Sequence, residues 1–157
     1  MENITILGFG NPVREDDGVG IYVIERLREE LGEKEGLQIL DMGTSAFEIL
    51  FKLKGQDRII LVDAVLNTGE KVGTLYKVPA EEILDSIDPD PHLYLHSLKW
   101  DQALSYAKKI LGADFPKQID VFLIAIDSTR FDTAMTEPAR LGAEMMTQKI
   151  LSELKFN

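Results

Sequence analysis

The feature that most constrains the fold is a repeated alternation between short apolar segments and longer amphipathic ones. The short segments are rich in β-branched residues and apolar at nearly every position, which is typical of strands buried on both faces of a parallel sheet. Five segments predict strands: Ile4–Leu7, Leu37–Leu40, Arg58–Val62, Thr74–Val78 and Ile119–Ile126. The alternation therefore predicts an α/β domain, a three-layer sandwich whose mostly parallel, five-stranded twisted sheet is flanked by helices.

The amphipathic segments predict the helices that connect these strands. The first is expected from about Gly18 to Leu31, where apolar residues recur every four positions and Gly32 follows as a stop signal. A second is expected from Ser45, because residues 45–48 read Ser-Ala-Phe-Glu, the form of a capping box. Two more are expected, one from about Ser97 to Leu111 and one after Pro138.

One connection is too short to contain a crossover helix. Only a short segment separates Asp63 from Thr74, so Thr74–Val78 is expected to be an antiparallel or edge strand beside Arg58–Val62. No repeat, low-complexity tract or linker divides the sequence. Residues 1–157 are therefore expected to form a single domain.

Composition excludes several classes of protein. The chain has no cysteine, which excludes disulfides, thiolate nucleophiles and zinc-finger sites. Its formal net charge of −10 argues against a nucleic-acid partner, because phosphate binding needs clustered Lys and Arg. No apolar run approaches the roughly 18–20 residues of a membrane span, and the N-terminus has no signal-peptide pattern. We therefore expect no membrane insertion and a cytoplasmic location.

Acidic residues follow the first three predicted strands. The segment Glu15–Asp17 comes after the first strand, Asp41 after the second and Asp63 at the end of the third. The carboxyl ends of parallel strands meet at one edge of the sheet, which is where ligands bind in open α/β folds. Carboxylates held close together need protons or a cation to be tolerated, so this edge is predicted to be a concentrated negative site.

Both histidines lie in one stretch that precedes a predicted helix. They are His92 and His96, and a surface or capping role is open to each of them. Two carboxylates and one imidazole form an open coordination set for divalent first-row metals. The residue types thus raise a metal site as a hypothesis, and by themselves they leave open which carboxylates take part.

The glycine-rich turn after the first strand does not indicate a nucleotide site. Gly8-Phe9-Gly10 is similar to the start of a dinucleotide fingerprint, but Val13 stands where the third glycine is needed, and the acidic residues that follow would repel a pyrophosphate. These glycines are expected to permit a tight turn. The aromatic residues Phe47, Phe51 and Trp100 are expected to pack in the core, because they lie at helical core spacing.

Four segments together resemble one known family. They read ITILGFGNPVREDDGVG, ILDMGTSAFEIL, RIILVDAV and HSLKWDQAL, and they cover most of the chain in order. The pattern resembles the hydrogenase maturation proteases, the endopeptidases that process the large subunit of nickel–iron hydrogenases. The most specific block is Gly-x-Gly-Asn, four residues, Asp-Asp, then Gly18-Val19-Gly20.

The resemblance implies a metal-binding trio of Asp17, Asp63 and His96. It implies that the trio engages nickel already inserted in the precursor of a hydrogenase large subunit, and that cleavage then removes the precursor's C-terminal extension. The nickel is supplied by the substrate, so no tightly bound cofactor of the protein's own is expected. The physical logic is that such a site gains binding energy only when the substrate brings a neutralising cation.

The remaining roles follow from the same resemblance and from the chemistry of hydrolysis. Asp41 is the candidate catalytic carboxylate, acting on water as a general base, and Gly43 and Thr44 are candidate substrate-binding residues. Two alternatives stay open. One is a non-cleaving, metal-sensing chaperone or binding module for the precursor, and the other is a hydrolase or transferase that acts on small molecules such as nucleosides.

Overall fold

The computed structural model describes residues 2–46, 48–84, 100–130 and 134–154. It contains one five-stranded sheet within these ranges. The strands are β1 (Ile4–Phe9), β2 (Leu37–Gly43), β3 (Arg58–Val65), β4 (Leu75–Pro79) and β5 (Gln118–Ala125). All five predicted strands are therefore present, each within a few residues of its expected bounds.

The helices alternate with the strands along the chain. A short 3₁₀ turn (Glu15–Gly18) leads directly into the first helix. The helices are α1 (Val19–Leu31), α2 (Ile49–Lys52), α3 (Ala80–Leu84), α4 (Trp100–Leu111) and α5 (Glu137–Leu154). Helix α1 ends where Gly32 adopts a positive φ of 61° and donates its N–H to the carbonyl of Arg28, as a helix C-terminus with glycine commonly does. Within the described residues, no helix is long and apolar enough to cross a lipid bilayer.

The strand order is β2-β1-β3-β5-β4. Strands β2, β1, β3 and β5 are parallel, and β4 is antiparallel to its neighbour. The expected mostly parallel sheet with one antiparallel edge strand is thus confirmed, but the expected neighbour of β4 was wrong. It pairs with β5 and not with β3, because β5 is buried on both faces and occupies the inner position, while β4 exposes Lys77 and suits an edge.

Successive residues of each strand enter two separate hydrophobic cores. Ile4 and Ile6 of β1 pack in the core beneath α1 and α5, whereas Leu7 and Phe9 pack in the core beneath α2, α3 and α4. Both cores contain aliphatic side chains with no exposed area, and each such side chain contributes roughly 1.5–3 kcal/mol through burial. These two cores hold the strand ends at fixed positions.

The capping box expected at Ser45 was wrong. Helix α2 begins only at Ile49, and its N-cap residue, Glu48, makes no side-chain capping hydrogen bond. The Ser45 N–H instead donates to the carbonyl of Met42, which closes a turn after β2. Residues 42–45 therefore form a turn at the end of β2, and the helix predicted from the capping pattern does not begin at Ser45. Phe47, which belongs to the same pattern, lies outside the described residues. The expectation that Phe51 packs in the core was wrong, because its side chain in the short helix α2 is 68% exposed.

Two other helix boundaries were also expected from the sequence. The helix expected from about Ser97 is described from Trp100 onward, and residues 97–99 lie outside the described part of the chain. The last helix begins at Glu137, one residue before Pro138, as the position of the proline in a first helical turn favours.

Candidate functional site

The candidate site lies at the switch point of the sheet, where the connections from successive strands lead to opposite sides of β1. From β1 the chain passes through α1 to β2 on one side, and from β2 it passes through α2 to β3 on the other side of β1. Helices α1 and α2 pack in different cores, on opposite faces of the sheet. The carboxyl ends of β1 and β3 therefore form the crevice at which open α/β sheets bind ligands.

Asp17 lies in the 3₁₀ turn that follows β1, and its side chain is partly buried. Its Oδ2 atom accepts the N–H of Asn11 at 3.2 Å. Burial raises the pKa of the Asp17 carboxyl, and this effect outweighs the lowering by the Asn11 N–H and by the positive charge of Arg14. The environment thus makes the bare carboxylate less favourable than it is in water.

Gly10 determines how closely this turn returns to the strand end. Its φ is +145°, and a Cβ atom placed on it would lie 2.1 Å from the carbonyl oxygen of Asp17. Glycine is required there because any side chain would push the Asp17 backbone away. The sequence prediction that this glycine permits a tight turn is confirmed.

Asp63 lies near the end of β3, next to the last residues that pair with β5. Its two carboxylate oxygens accept different donors: Oδ1 accepts the Ala64 N–H at 2.8 Å, and Oδ2 accepts the indole N–H of Trp100 at 2.8 Å. Burial raises the pKa of Asp63 to about 6, although both hydrogen bonds lower it. The negative charges of Asp17 and Asp101 raise it further.

The structure brings Asp17 and Asp63 together. The 3₁₀ turn that contains Asp17 contacts β3, and the Asp17 charge acts on the Asp63 carboxyl. The third predicted ligand, His96, lies outside the described residues, as does His92. Within the described ranges, no three His, Asp or Glu side chains are grouped so as to hold a metal ion. The two aspartates are therefore the described part of the predicted trio.

Asp41, Gly43 and Thr44 lie at the same edge of the sheet. The Gly43 carbonyl accepts the N–H of Gly10 at 2.9 Å, which joins the end of β2 to the turn that leads to Asp17. Asp41 is exposed, and its Oδ1 atom accepts the Gly43 N–H at 2.8 Å. Gly43 has a positive φ of 56° and Thr44 is exposed in the turn that follows. Their predicted roles in catalysis and substrate binding stay predictions.

The neighbouring Asp16 has a role that the sequence did not reveal. Its side chain is 1% exposed, and its two oxygens accept the N–H and the Oγ1–H of Thr136 at 2.7 and 2.8 Å. Thr136 immediately precedes α5, so Asp16 caps the start of that helix from 120 positions away in the sequence. The adjacent Glu15 contributes to the same junction, because its Oε2 atom accepts the Arg130 N–H at 3.4 Å.

Trp100 makes a second contact that the sequence did not reveal. It was expected to be a core aromatic, and its ring does pack with Phe9, with the ring centroids 6.5 Å apart and the planes tilted by 32°. Its indole N–H, however, is directed at Asp63. The two residues are 37 positions apart, and no local pattern in the sequence signals such a bond.

Comparison with known proteins gives a consistent result. A family model described as hydrogenase maturation protease, HycI, matches residues 21–153, a range that includes Asp63 and His96 and begins after Asp17. The chain is 26% identical over 156 residues to the hydrogenase 2 maturation protease of Escherichia coli K12, and the match covers 97% of this chain and 90% of that protein.

Two solved structures are similar over almost the whole chain. The crystal structure of a [NiFe] hydrogenase maturation protease, HycI, from Thermococcus kodakarensis KOD1 is 27% identical, with a TM-score of 0.73 and coverage of 98% of this chain and 93% of that one. The E. coli hydrogenase maturating endopeptidase HybD has a TM-score of 0.82 at 24% identity, with coverage of 99% and 93%, which shows the shared fold.

Proposed function

Because the chain belongs to the hydrogenase maturation protease family and is thus a hydrolase of the endopeptidase type, we propose that it removes the C-terminal extension of a nickel–iron hydrogenase large-subunit precursor after nickel insertion. The observation that carries this proposal is the pair of partly buried carboxylates, Asp17 and Asp63, at the switch point of the sheet. Burial raises the pKa of both, so the pair favours a partner that brings positive charge.

The substrate's nickel is the partner that we propose for this pair. Two carboxylates and the imidazole of His96 would supply three donors and leave coordination positions for the ligands that the precursor already provides. Precursor without nickel would leave the two carboxylates facing each other with no neutralising charge. Nickel recognition would therefore act as a test of whether the metal has been inserted.

For the chemical step we propose Asp41 as the general base. Its Oδ1 atom is occupied by the Gly43 N–H, so Oδ2 is the oxygen assigned to take a proton from the attacking water. The water oxygen adds to the scissile carbonyl carbon, the C–N bond breaks, and the leaving nitrogen receives the proton. The exposed turn at Gly43 and Thr44 would bind the backbone of the precursor beside this carboxylate.

The test is mass spectrometry of a nickel-loaded large-subunit precursor before and after mixing with the protein. We expect the precursor to lose its C-terminal extension only when it carries nickel. Asp17→Asn should abolish cleavage. Asp114→Asn should not, because Asp114 is exposed and precedes the first residue of β5, so it lies at the end of the sheet away from the site. Binding without any shortening of the precursor would support the non-cleaving chaperone instead.

We also propose that the purified protein holds no tightly bound metal of its own. Zinc is the relevant competitor, because carboxylate and imidazole ligands bind it well. Elemental analysis and cleavage after pretreatment with a chelator, followed by removal of the chelator, address this point. Stoichiometric zinc together with efficient cleavage of nickel-free precursor would contradict nickel recognition and leave the peptidase assignment intact. The cytoplasmic location stays a prediction from the sequence.

A further inference from the structure

The carboxylate of Asp63 is held on both of its oxygens. One donor is the backbone N–H of Ala64, which follows directly in β3, and the other is the indole N–H of Trp100, the first residue of α4. Both donor–acceptor distances are 2.8 Å, which is typical of N–H donors to a carboxylate. Two donors from different elements fix the plane of the carboxylate, whereas one would leave it free to rotate.

The indole ring that provides the second donor is itself held in place. Trp100 packs on the core beneath α2, α3 and α4, and its ring contacts that of Phe9, the last residue of β1 and only 4% exposed. Because β1 and β3 are paired in the sheet, the ring and the carboxylate that it contacts rest on the same rigid layer. The position of the N–H donor is therefore defined by packing.

The charge of the donor matters as much as its position. Lys or Arg at this position would also hold the carboxylate, but it would neutralise the negative charge that the site offers to a cation. An indole N–H is neutral and can only donate, so it orients Asp63 and leaves its charge in place. Packing alone would be satisfied by phenylalanine, which carries no donor.

We propose that Trp100 is a positioning residue for metal recognition, whose indole N–H orients the Asp63 carboxylate toward the nickel that the substrate brings. This inference rests on the proposed function, because it assumes that Asp63 is a metal ligand. Residues that orient metal ligands commonly change metal affinity about 10–100-fold when they are replaced. Cadmium serves as the probe metal, so that the test does not depend on a precursor or on cleavage.

The experiment compares cadmium affinity by calorimetry in the wild type, Trp100→Phe and Leu104→Ala. The phenylalanine variant retains a ring against Phe9 and removes the N–H, so we expect cadmium affinity to fall about 10-fold. Leu104 lies in the same helix and the same core with no exposed area, and its truncation should lower the unfolding temperature while affinity stays within about two-fold. An unchanged affinity in Trp100→Phe would overturn the inference.

A measurement on the wild type keeps the inference testable if the variant does not fold. Trp100 is the single tryptophan, so the indole N–H gives one resonance in an amide-correlation NMR spectrum of the whole chain. That resonance should move as cadmium is added. If it stays in place in a protein that binds cadmium, the inference about Trp100 is overturned and the proposed metal site is left intact. A wild-type protein that does not bind cadmium would overturn the proposed metal site as well.

Discussion

Replacement of Asp63 by asparagine should stabilise the metal-free protein at neutral pH while it removes a ligand of the proposed nickel site. The ionised carboxylate is unfavourable in its folded environment, because burial and two neighbouring aspartates raise its pKa from 3.8 to about 6. Such a difference corresponds to roughly 3 kcal/mol between the ionised and the neutral side chain. Asparagine has nearly the same shape and carries no charge.

Part of this gain is lost through hydrogen bonding. The carboxylate accepts one N–H on each oxygen, from Ala64 and from Trp100, but an amide has only one oxygen. One of the two donors would then face the amide nitrogen, at a loss of about 1 kcal/mol or somewhat more. The net expectation is that Asp63→Asn raises the free energy of unfolding by about 1–2 kcal/mol at pH 7.5.

The pH dependence gives the sharper test. The folded-state pKa of Asp63 lies above its unfolded value, so the unfolded chain loses the proton first as the pH rises. Protonated Asp63 therefore favours the folded state. This stabilising contribution is fully present below about pH 4 and is lost as the pH rises through about 6. Asp63→Asn should therefore be less stable than the wild type by about 1 kcal/mol near pH 4, where only the lost hydrogen bond counts. Its stability relative to the wild type should then rise up to about pH 6 and stay constant above that pH.

The assay is urea unfolding followed by circular dichroism at several pH values, with Asp114→Asn as the control for loss of an exposed carboxylate. Added cadmium should raise the stability of the wild type and leave that of Asp63→Asn unchanged, because only the wild type retains the ligand. A variant that is less stable than the wild type at pH 7.5, or a difference that is the same at pH 4, would refute the reasoning.

Three further expectations concern the surroundings of the site. Asp16→Ala should lower the free energy of unfolding by about 2–3 kcal/mol in a denaturant titration, because the two hydrogen bonds by which Asp16 caps α5 at Thr136 are lost. A loss below about 0.5 kcal/mol would contradict this role. Gly20→Ala should lower the unfolding temperature strongly, because the new Cβ would lie 2.2 Å from the Phe9 carbonyl oxygen, a backbone atom that cannot give way. Unchanged melting would show that the helix can shift. Cadmium affinity should fall below about pH 6–7, where protons compete for the imidazole of His96 and for the carboxylates; titration calorimetry that shows constant affinity from about pH 5.5 to 8 would remove His96 from the ligand set.

The sequence by itself determined the parts of the fold that depend on local patterns. Nearly continuous apolar runs such as Ile4–Leu7 and Arg58–Val62 are strands because a segment apolar on both faces is stable only inside a covered sheet. The parallel arrangement then follows from the amphipathic segments between them, and it brings the acidic strand ends to one edge. The proximity of Asp17 and Asp63 was predictable for this reason.

The tertiary structure alone decided which distant groups meet. The pairing of β4 with β5 depends on which strand occupies the inner position of the sheet, and a capping pattern at Ser45 is overridden by the turn that closes β2. The bonds from Trp100 to Asp63 and from Thr136 to Asp16 join residues 37 and 120 positions apart. Hydrophobic periodicity reports only which face of a segment is buried, whereas a hydrogen bond between elements depends on the packing of the whole chain.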